Sequence, residues 1–199
     1  MKYDLIIIGC GGHARSVLDV LLSDYPDISA CIVDENAVDG EMIFSLPVYK
    51  SMRPANEIFI AIGDNEKRFS HAKLIHDKDV RTIISSSAHI GKDAIVGKGV
   101  FIGNGAHLGP ETKVGDYSII NTGSIVEHEV SIGKFCHIAP NVTISGRSRI
   151  GNNVFFGAGA TVIDAVSICS NAIVGAGAVV VENIGEPGTY VGCPVRKIK

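Results

Sequence analysis

The stretch VGKGVFIGNGAHLGPETKVGDYSII, residues 96–120, repeats a pattern of six residues that decides the fold of most of the chain. An apolar residue recurs at every sixth position from 84 to 180, and the phase never changes. A small residue recurs four positions after each apolar one, and glycine often follows the apolar residue directly. The apolar positions are Ile84, Ile90, Val96, Ile102, Leu108, Val114, Ile120, Val126, Ile132, Ile138, Ile144, Ile150, Phe156, Val162, Ile168, Val174 and Val180.

A six-residue unit with one large and one small inward side chain is typical of a short strand followed by a turn. Glycine supplies the backbone freedom that such a corner needs. Stacked coils then bury the apolar column as one continuous core, as in other solenoids. A β-sandwich with alternating strands does not explain an unbroken phase over residues 84–180. The sequence therefore predicts a β-solenoid.

Residues 1–83 lack this period and alternate predicted strands with predicted helices. The segments DLIIIG, ISACIVDE, EIFIAIG and VRTIIS read as strands. GGHARSVLDVLLSDY and DNEKRFSHAKLIHDK read as helices, and Asp64 or Asn65 caps the second one. Such alternation is typical of a small parallel α/β unit. We therefore expect two domains, residues 1–83 and residues 84–199, with a boundary near Ser85.

The composition excludes several classes of protein. A net charge of −3 and an isoelectric point near 6.1 argue against a nucleic-acid or membrane-surface partner, because both need a basic patch. The apolar run that precedes Gly9 is too short for a signal peptide or a membrane span. The 5 cysteines show no CxxC spacing, which favours reduced thiols over disulfides or a zinc site. We expect a cytoplasmic protein without a metal.

The stretch Gly9-Cys-Gly-Gly-His-Ala14 follows a predicted strand and opens a predicted helix. It fits the G-x-G-x-x-G/A dinucleotide pattern, and Asp34 ends the next strand, where a ribose-binding acid belongs. Backbone N–H groups at this helix start favour a phosphate or another anion. Residues 1–83 leave no room for a second mononucleotide half, which argues against NAD. A structural turn remains an alternative, and a nucleotide or nucleotide-linked sugar fits best.

The six-residue repeat changes character near residues 121–145. Glycine after the apolar residue gives way to Asn121, Glu127, Ala139 and Ser145. The same region gains Glu127-His128-Glu129 and His137, although the apolar positions stay in phase. Local departures from a consistent pattern are typical of functional sites.

The whole chain resembles the bacterial sugar acetyltransferases among the hexapeptide-repeat acyltransferases, which include UDP-4-amino-sugar N-acetyltransferases and sialic acid O-acetyltransferases. The motifs GCGGHAR, AIGDNEKR, NTGSIVEHE, FCHIAPN and YVGCPVRKIK carry this resemblance. It implies a Rossmann-like α/β domain followed by a left-handed parallel β-helix with three hexads per coil and between five and six coils. The handedness comes from the resemblance alone, because parallel crossovers are usually right-handed. It also implies acetyl-CoA as the acetyl donor, a nucleotide-sugar acceptor and a homotrimer with sites between subunits.

The resemblance implies a role for each matching residue. The acceptor nucleotide sugar is held by Gly11, Gly12, His13, Asp34 and Gly63, with His13 close to the sugar and Asn121 as a positioning residue. His128 is the general base, since an imidazole near its own pKa can take the proton of an attacking amine or hydroxyl. Glu129 supports that imidazole, and the N–H of Gly146 faces the acetyl carbonyl. His137 contacts acetyl-CoA, and the backbone at Ala158 and Ala176 lines a groove for its pantetheine arm.

Several points stay open. Neighbouring strand residues point to opposite faces, so Glu129 reaches His128 only if this corner is a turn. In a strand, Glu127 or a carboxylate of another chain is the better partner. Ser145 and the ending Gly192-Cys-Pro-Val195 depart from the family pattern and bear on details of CoA contact. The nucleotide (UDP or dTDP), the sugar and the choice of N- or O-acetylation are not decided.

Other functions fit the sequence less well. Some hexapeptide β-helices, such as γ-class carbonic anhydrases, bind zinc through a closely spaced H-x-x-x-x-H pair. His128 and His137 lack that spacing. A scaffold or surface-binding β-helix predicts uniform faces and no concentrated His/Glu break. His89 and His107 share one repeat column with Ile125 and read as surface or interface residues, and His71 and His76 as solvated helix residues.

Overall fold

The computed structural model describes residues 2–75 and 79–199 and contains an α/β unit followed by a β-helix. The elements of the α/β unit are β1 (Tyr3–Ile8), α1 (Gly12–Asp24), β2 (Ala30–Val33), β3 (Met42–Ile43), β4 (Leu46–Tyr49), β5 (Ala55–Ile60), α2 (Asn65–Leu74) and β6 (Asp79–Val80). Their strands form one sheet in the order β3-β4-β2-β1-β5-β6, parallel except for the β3–β4 hairpin. That hairpin was not predicted, because its strands are short and carry no clear alternation.

The two helices follow the predicted pattern with one difference in length. The N-cap of α2 is Asp64, whose Oδ1 accepts a hydrogen bond from the backbone N–H of Lys67 at 2.8 Å. The helix ends at Leu74, and the rest of its predicted span, including His76, falls in residues 76–78, outside the described part. Neither described helix is long and apolar enough to cross a membrane.

The β-helix has three flat parallel sheets, and equivalent residues of successive coils lie 18 positions apart, as between Phe101 and Ile119. Sheet 1 contains β7 (Ile83–Ile84), β10 (Phe101–Ile102), β13 (Ile119–Ile120), β16 (His137–Ile138), β19 (Phe155–Phe156), β22 (Ala172–Val174), β24 (Gly188–Val191) and antiparallel β25 (Arg196–Lys197). Sheet 2 contains β8 (His89–Ile90), β11 (His107–Leu108), β14 (Ile125–Val126), β17 (Thr143–Ile144), β20 (Thr161–Val162) and β23 (Val179–Val180). Sheet 3 contains β9 (Ile95–Val96), β12 (Lys113–Val114), β15 (Ser131–Ile132), β18 (Arg149–Ile150) and β21 (Ser167–Ile168).

The two predicted inward columns form the core of the β-helix. Every apolar position from Ile102 to Val180 is buried, whereas Ile84, Ile90 and Val96 at the open end are less covered. The small column is buried from Val100 onwards, and its serine hydroxyl groups donate to backbone carbonyls 15 positions further on, in the next coil. Ser118 Oγ, for example, donates to the carbonyl of Gly133 at 2.9 Å. The column prediction is confirmed.

The corners are built differently from the prediction. The left-handed backbone conformation, with φ between +56° and +69°, occurs at every sixth residue from Asp93 to Asn171 and again at Gly177. These residues lie three positions after the apolar one, and ten of the fifteen are not glycine. The glycines that directly follow the apolar residue are needed for a different reason, which is the close approach of the next coil. A Cβ at Gly109 would lie 2.6 Å from the backbone nitrogen of His128 in the next coil, so glycine permits close stacking of the coils.

The two units meet at residues 80–83. Ile83–Ile84 pairs with Phe101–Ile102, so the β-helix begins at Ile83. The predicted strand VRTIIS is therefore divided, because Val80 belongs to the α/β sheet. Ile83, Phe101 and Ile119 on the outer face of sheet 1 pack into the same core as α1. The α/β unit thus covers part of sheet 1.

Candidate functional site

A cleft of about 420 Å³ lies at the carboxyl ends of β1, β2 and β5, beside the start of α1. All five residues predicted to hold a nucleotide sugar line it, namely Gly11, Gly12, His13, Asp34 and Gly63. Lys67 and His71 from α2 also line it, so His71 faces the cleft and not only solvent. In open α/β sheets this edge is where ligands bind.

The three glycines of the turn serve different purposes. Gly9 has φ +100°, and a Cβ there would meet Ile62 Cγ1 at 2.9 Å, so the fold itself requires glycine. A Cβ at Gly11 or Gly12 would meet nothing within 4 Å. The protein's own packing therefore does not explain these two glycines. They leave space above the first turn of α1, whose N–H groups have no intrahelical partners.

The carboxylate of Asp34 organises the turn. Its Oδ2 accepts a hydrogen bond from the N–H of Cys10 at 3.0 Å, and its Oδ1 accepts one from the N–H of Asn36 at 2.9 Å. Burial raises the pKa of Asp34, but these hydrogen bonds outweigh burial and hold the pKa below its ordinary value. A carboxylate that is ionised in this way fixes the glycine turn and still borders the cleft.

Two histidines meet at the junction of the cleft with sheet 1. The ring of His13 lies 6.1 Å from the ring of His137 and packs edge-on against Phe101 at 5.1 Å. Burial lowers the pKa of His13 to about 3 and that of His137 to about 4, and the charge of Arg68 contributes to both shifts. Both imidazoles are therefore neutral near pH 7. Neither ring nitrogen of His13 has a hydrogen-bond partner among the described residues, although both are buried.

The hydrogen bonds of His137 define its tautomer. Its Nδ1 lies 2.9 Å from the carbonyl oxygen of Gly63, which can only accept, so Nδ1 carries the proton. Nε2 faces the side-chain nitrogen of Asn121 at 3.4 Å. The amide oxygen of Asn121 accepts from the N–H of Thr122 at 2.8 Å, which orients the amide. Asn121, His137, Gly63 and His13 thus form one cluster.

Arg68 lies behind this cluster and was missed by the sequence analysis. It is the one buried residue of α2, and its side chain is 1% exposed. Burial lowers its pKa to about 10, so it remains charged at neutral pH. The motif AIGDNEKR contains it, but a helical arginine usually lies at the surface, and no local pattern distinguishes a buried one.

A second cluster lies at the corner between sheets 2 and 3. Nδ1 of His128 lies 3.0 Å from Oε2 of Glu129, and both side chains are about half exposed. Glu129 has φ +61°, so the corner is a turn, and this geometry lets adjacent side chains meet. Glu127 forms no side-chain hydrogen bond among the described residues. The pairing leaves Nε2 of His128 free to accept a proton.

Gly146 lies directly beside the His128 ring, one coil further on. A Cβ at Gly146 would lie 2.5 Å from Cε1 and 2.6 Å from Nε2 of that ring. The N–H of Gly146 has no hydrogen-bond partner within residues 2–75 and 79–199, and the same holds for Ala158 and Ala176. Ala158 and Ala176 occupy equivalent positions at the corner between sheets 1 and 2.

The two clusters lie on different sides of the triangular coil. His137 projects from sheet 1, which the α/β unit partly covers. His128 lies at the corner opposite that sheet. A single chain therefore does not bring the neutral pair and the His128–Glu129 pair into one site.

His89 and His107 lie outside both clusters, and the described residues form no metal site. His89 and His107 stack on the outer face of sheet 2, with ring centroids 4.8 Å apart and planes 10° apart. Within the described part of the chain, no group of three or more histidine, cysteine or acidic side chains has the arrangement to hold a metal ion.

Two family models match most of the chain. The model for the PglD N-terminal domain matches residues 4–75, and that for the bacterial transferase hexapeptide (six repeats) matches residues 111–146 and 147–181. An uncharacterized protein, L142, of Acanthamoeba polyphaga mimivirus is 33% identical over 101 residues. That match covers 49% of this chain and only 20% of the viral protein, so the chain spans about one fifth of this relative.

Solved structures match nearly the whole chain. PerB from Caulobacter crescentus, in complex with CoA and GDP-perosamine, is 30% identical with a TM-score of 0.87, over 98% of this chain and 97% of PerB. A histidine-to-asparagine mutant of perosamine N-acetyltransferase from the same organism, also with CoA and GDP-perosamine, is 29% identical with a TM-score of 0.91 and the same coverage. The acetyltransferase domain of PglB from Neisseria gonorrhoeae, in complex with acetyl coenzyme A, is 26% identical with a TM-score of 0.86, over 100% of both chains.

Proposed function

Because the chain belongs to the hexapeptide-repeat sugar acetyltransferases, we propose that it transfers the acetyl group of acetyl-CoA to the 4-amino group of a nucleotide-linked amino sugar. The chain has the fold of that family, a Rossmann-like α/β unit followed by a left-handed β-helix. The observation that carries the proposal is the His128–Glu129 pair: Nε2 of His128 lies 2.6 Å from the position of a Cβ on Gly146, whose N–H has no hydrogen-bond partner among the described residues.

The chemistry of acetyl transfer uses this corner directly. The amine nitrogen attacks the thioester carbonyl, and Nε2 of His128 takes the proton that the nitrogen must lose. Glu129 accepts the Nδ1–H hydrogen bond, which orients the ring and stabilises the imidazolium. The carbonyl oxygen becomes an oxyanion, and the N–H of Gly146 donates to it. The C–S bond then breaks, and CoA leaves as a thiol with a proton returned through the imidazolium.

The cleft of the α/β unit supplies the acceptor site in this proposal. The N–H groups at Gly11, Gly12 and the start of α1 suit the diphosphate of a nucleotide sugar, and Lys67 adds a positive charge at the rim. His13 lines the cleft, and neither of its ring nitrogens has a hydrogen-bond partner in the described part of the chain, so we assign it to contact with the sugar. The sequence left UDP and dTDP open, and the relatives that bind GDP-perosamine add GDP as a third nucleotide to test.

We further propose that the complete site forms between two copies of the chain in a homotrimer. His128 and Glu129 lie opposite the sheet that carries His137, so a site with all of them needs the corner of one copy beside the junction of another. The unpaired N–H groups of Ala158 and Ala176 line the corner that would border this gap. Their spacing of one coil suits the amide groups of a pantetheine arm.

A thiol-release assay tests the proposal. Acetyl-CoA is supplied with UDP-, dTDP- and GDP-linked 4-amino sugars and, as O-acetylation controls, with sialic acids. We expect turnover with one nucleotide amino sugar and loss of most of it in His128→Ala. Turnover of a sialic acid alone would replace the amine acceptor by a hydroxyl. Full activity of His128→Ala would refute the assigned base.

A further inference from the structure

Arg68 is a buried cation with no acidic hydrogen-bond partner among the described residues, although the nearby carboxylate of Asp64 partly offsets the effect of burial on its pKa. All of its hydrogen-bond acceptors are neutral, and five of the six are backbone carbonyls. They are the carbonyl oxygens of Tyr117 (2.7 Å), Ile62 (2.8 Å), Gly63 (3.1 Å), Phe135 (3.1 Å) and Cys136 (3.1 Å), and Oδ1 of Asn65 (2.7 Å). A buried charge is costly, so six acceptors around one guanidinium indicate a specific requirement for it.

These acceptors belong to the two structural units. Ile62 and Gly63 follow β5 and border the cleft, whereas Phe135 and Cys136 form a corner of the β-helix directly before His137. The planar guanidinium of Arg68 therefore ties the floor of the cleft to the segment that carries His137. Lysine has no such fork of donors and would not bridge both segments.

The Gly63 carbonyl links Arg68 to His137. It accepts from Nη1 of Arg68 at 3.1 Å and from Nδ1 of His137 at 2.9 Å. The positive charge of Arg68 disfavours a second charge on the nearby rings of His137 and His13. The Arg68 side chain thus influences the position, the tautomer and the charge of the His137 ring.

We propose that Arg68 is a positioning residue of the site: it holds the Gly63 carbonyl and the segment before His137 in register, and so keeps His137 neutral with Nε2 presented at Asn121. The positioning stands on the contacts of Arg68 alone. Its consequence for turnover rests on the proposed acetyl transfer. A purely structural role, in which Arg68 only joins the two units, is the alternative that the experiment must separate.

The first experiment follows the imidazole of His137 by NMR between pH 8 and pH 4.5 in the full-length protein. The variants are Arg68→Gln, which removes the charge and the fork, and Arg68→Lys, which keeps the charge. His137→Gln assigns the signal. We expect the wild-type ring to be neutral from pH 8 to about pH 5.5 and only partly protonated at pH 4.5. Arg68→Gln should have a larger protonated fraction at pH 4.5, as for a midpoint raised by roughly half a pH unit or more, and Arg68→Lys a smaller increase.

A matched control loosens the same junction elsewhere. Asp24, at the end of α1, accepts hydrogen bonds from Ser86 N at 2.8 Å and Ser86 Oγ at 2.6 Å, far from His137 in the chain and at the first coil. Asp24→Ala should lower Tm without moving the His137 titration. An Arg68→Gln protein with a lower Tm and an unchanged titration would overturn the proposal. Should Arg68→Gln not fold, Arg68→Lys carries the same test.

Kinetics supply the second readout. With the acceptor found in the thiol-release assay, we expect Arg68→Lys to raise the KM for the acceptor about tenfold, with kcat within about threefold of wild type, because His128 is untouched. Equal effects of Arg68→Lys and Asp24→Ala on KM would refute a specific role. The NMR titration does not depend on the substrate, so a failed acetyl-transfer proposal would leave the positioning result intact.

Discussion

The two histidine clusters use the same side chain in opposite environments. His128 is about half exposed and bonded to a carboxylate, whereas His137 is largely buried, bonded to a carbonyl and close to a buried cation. A carboxylate favours the imidazolium that forms when a base takes a proton. A buried site beside the charged Arg68 disfavours the imidazolium. His128 at the corner is therefore suited to proton transfer. His137 at the junction is suited to contacting a ligand as an uncharged imidazole.

The largest expected effect is at the corner. We expect His128→Gln to lower kcat about 10²- to 10⁴-fold, because it removes the group that takes the proton. His137→Gln should mainly raise the KM for acetyl-CoA, since it removes the proposed contact with the donor and leaves the proton-accepting His128 in place. Steady-state kinetics with acetyl-CoA varied at saturating acceptor measure both. The reverse pattern, with kcat lost in His137→Gln only, would exchange the two roles.

The next largest effect is expected at the glycine turn, residues 9–12, which borders the cleft. Gly12→Ala meets no protein atom within 4 Å, so we expect an unchanged Tm and a nucleotide affinity about tenfold lower or worse, because the methyl group fills ligand space. Isothermal titration with UDP, dTDP and GDP measures it. Gly9→Ala is the contrast, and its left-handed φ of +100° predicts a loss of stability of about 1–3 kcal/mol. Unchanged nucleotide binding in Gly12→Ala would favour the purely structural turn.

Gly146→Ala tests how closely the corner is packed. Its methyl group would displace the His128 ring, so we expect kcat to fall about 10- to 10²-fold with a change in Tm below about 3 °C, since the ring is half exposed. Gly185→Ala is the control, because a Cβ there, unlike one at Gly146, would meet no atom of the described residues within 4 Å. Equal activity of the two variants would remove Gly146 from the site.

The carboxylate partner gives a smaller effect. Glu129→Gln keeps the shape and can still bond to the ring, but it loses the charge that stabilises the imidazolium. We expect kcat to fall about tenfold. Glu127→Gln should leave kcat unchanged, because Glu127 makes no side-chain contact with the ring in the described structure. A loss of kcat in Glu127→Gln alone would show that Glu127, and not Glu129, stabilises the His128 imidazolium.

The smallest effect concerns stability against pH. Folding lowers the pKa of His13 to about 3 and of His137 to about 4, against an ordinary value near 6.5. The unfolded chain therefore binds more protons between these values, so this stability is complete above about pH 6.5 and is lost as pH falls towards 4. We expect Tm to decrease over this range by several degrees, measured by scanning calorimetry. His137→Gln should flatten the decrease, because it removes one of the two buried imidazoles.

Much of the fold could be predicted from the sequence, because it follows from the regular spacing of apolar side chains along the chain. The apolar column from Ile102 to Val180 is buried as its spacing predicts, and the strand–helix alternation before it yields the α/β unit. The short β3–β4 hairpin and the division of VRTIIS between two sheets were not readable. Both depend on which distant strand offers hydrogen bonds, and pairing partners leave little trace in so short a segment.

The site residues divide in the same way. The residues that the resemblance assigned to a nucleotide sugar line one cleft, because a strand–turn–helix motif and the ends of parallel strands meet at one edge of a sheet: Gly11, Gly12, His13, Asp34 and Gly63. Whether Glu129 or Glu127 faces His128 depended on a left-handed turn that glutamate rarely adopts. Arg68 was missed because its acceptors are carbonyls from residues 62–63 and 117–136, which no sequence pattern labels.

The sequence by itself determined the β-helix, the glycine turn and the concentration of histidine and acid near residue 128, since each follows from local spacing and residue chemistry. Only the tertiary structure decided the environment of each histidine. It paired His128 with Glu129 in the open, and it buried His13 and His137 near the charge of Arg68. The physical reason is that protonation depends on burial and on charges brought together across the chain, and spacing along a sequence carries neither.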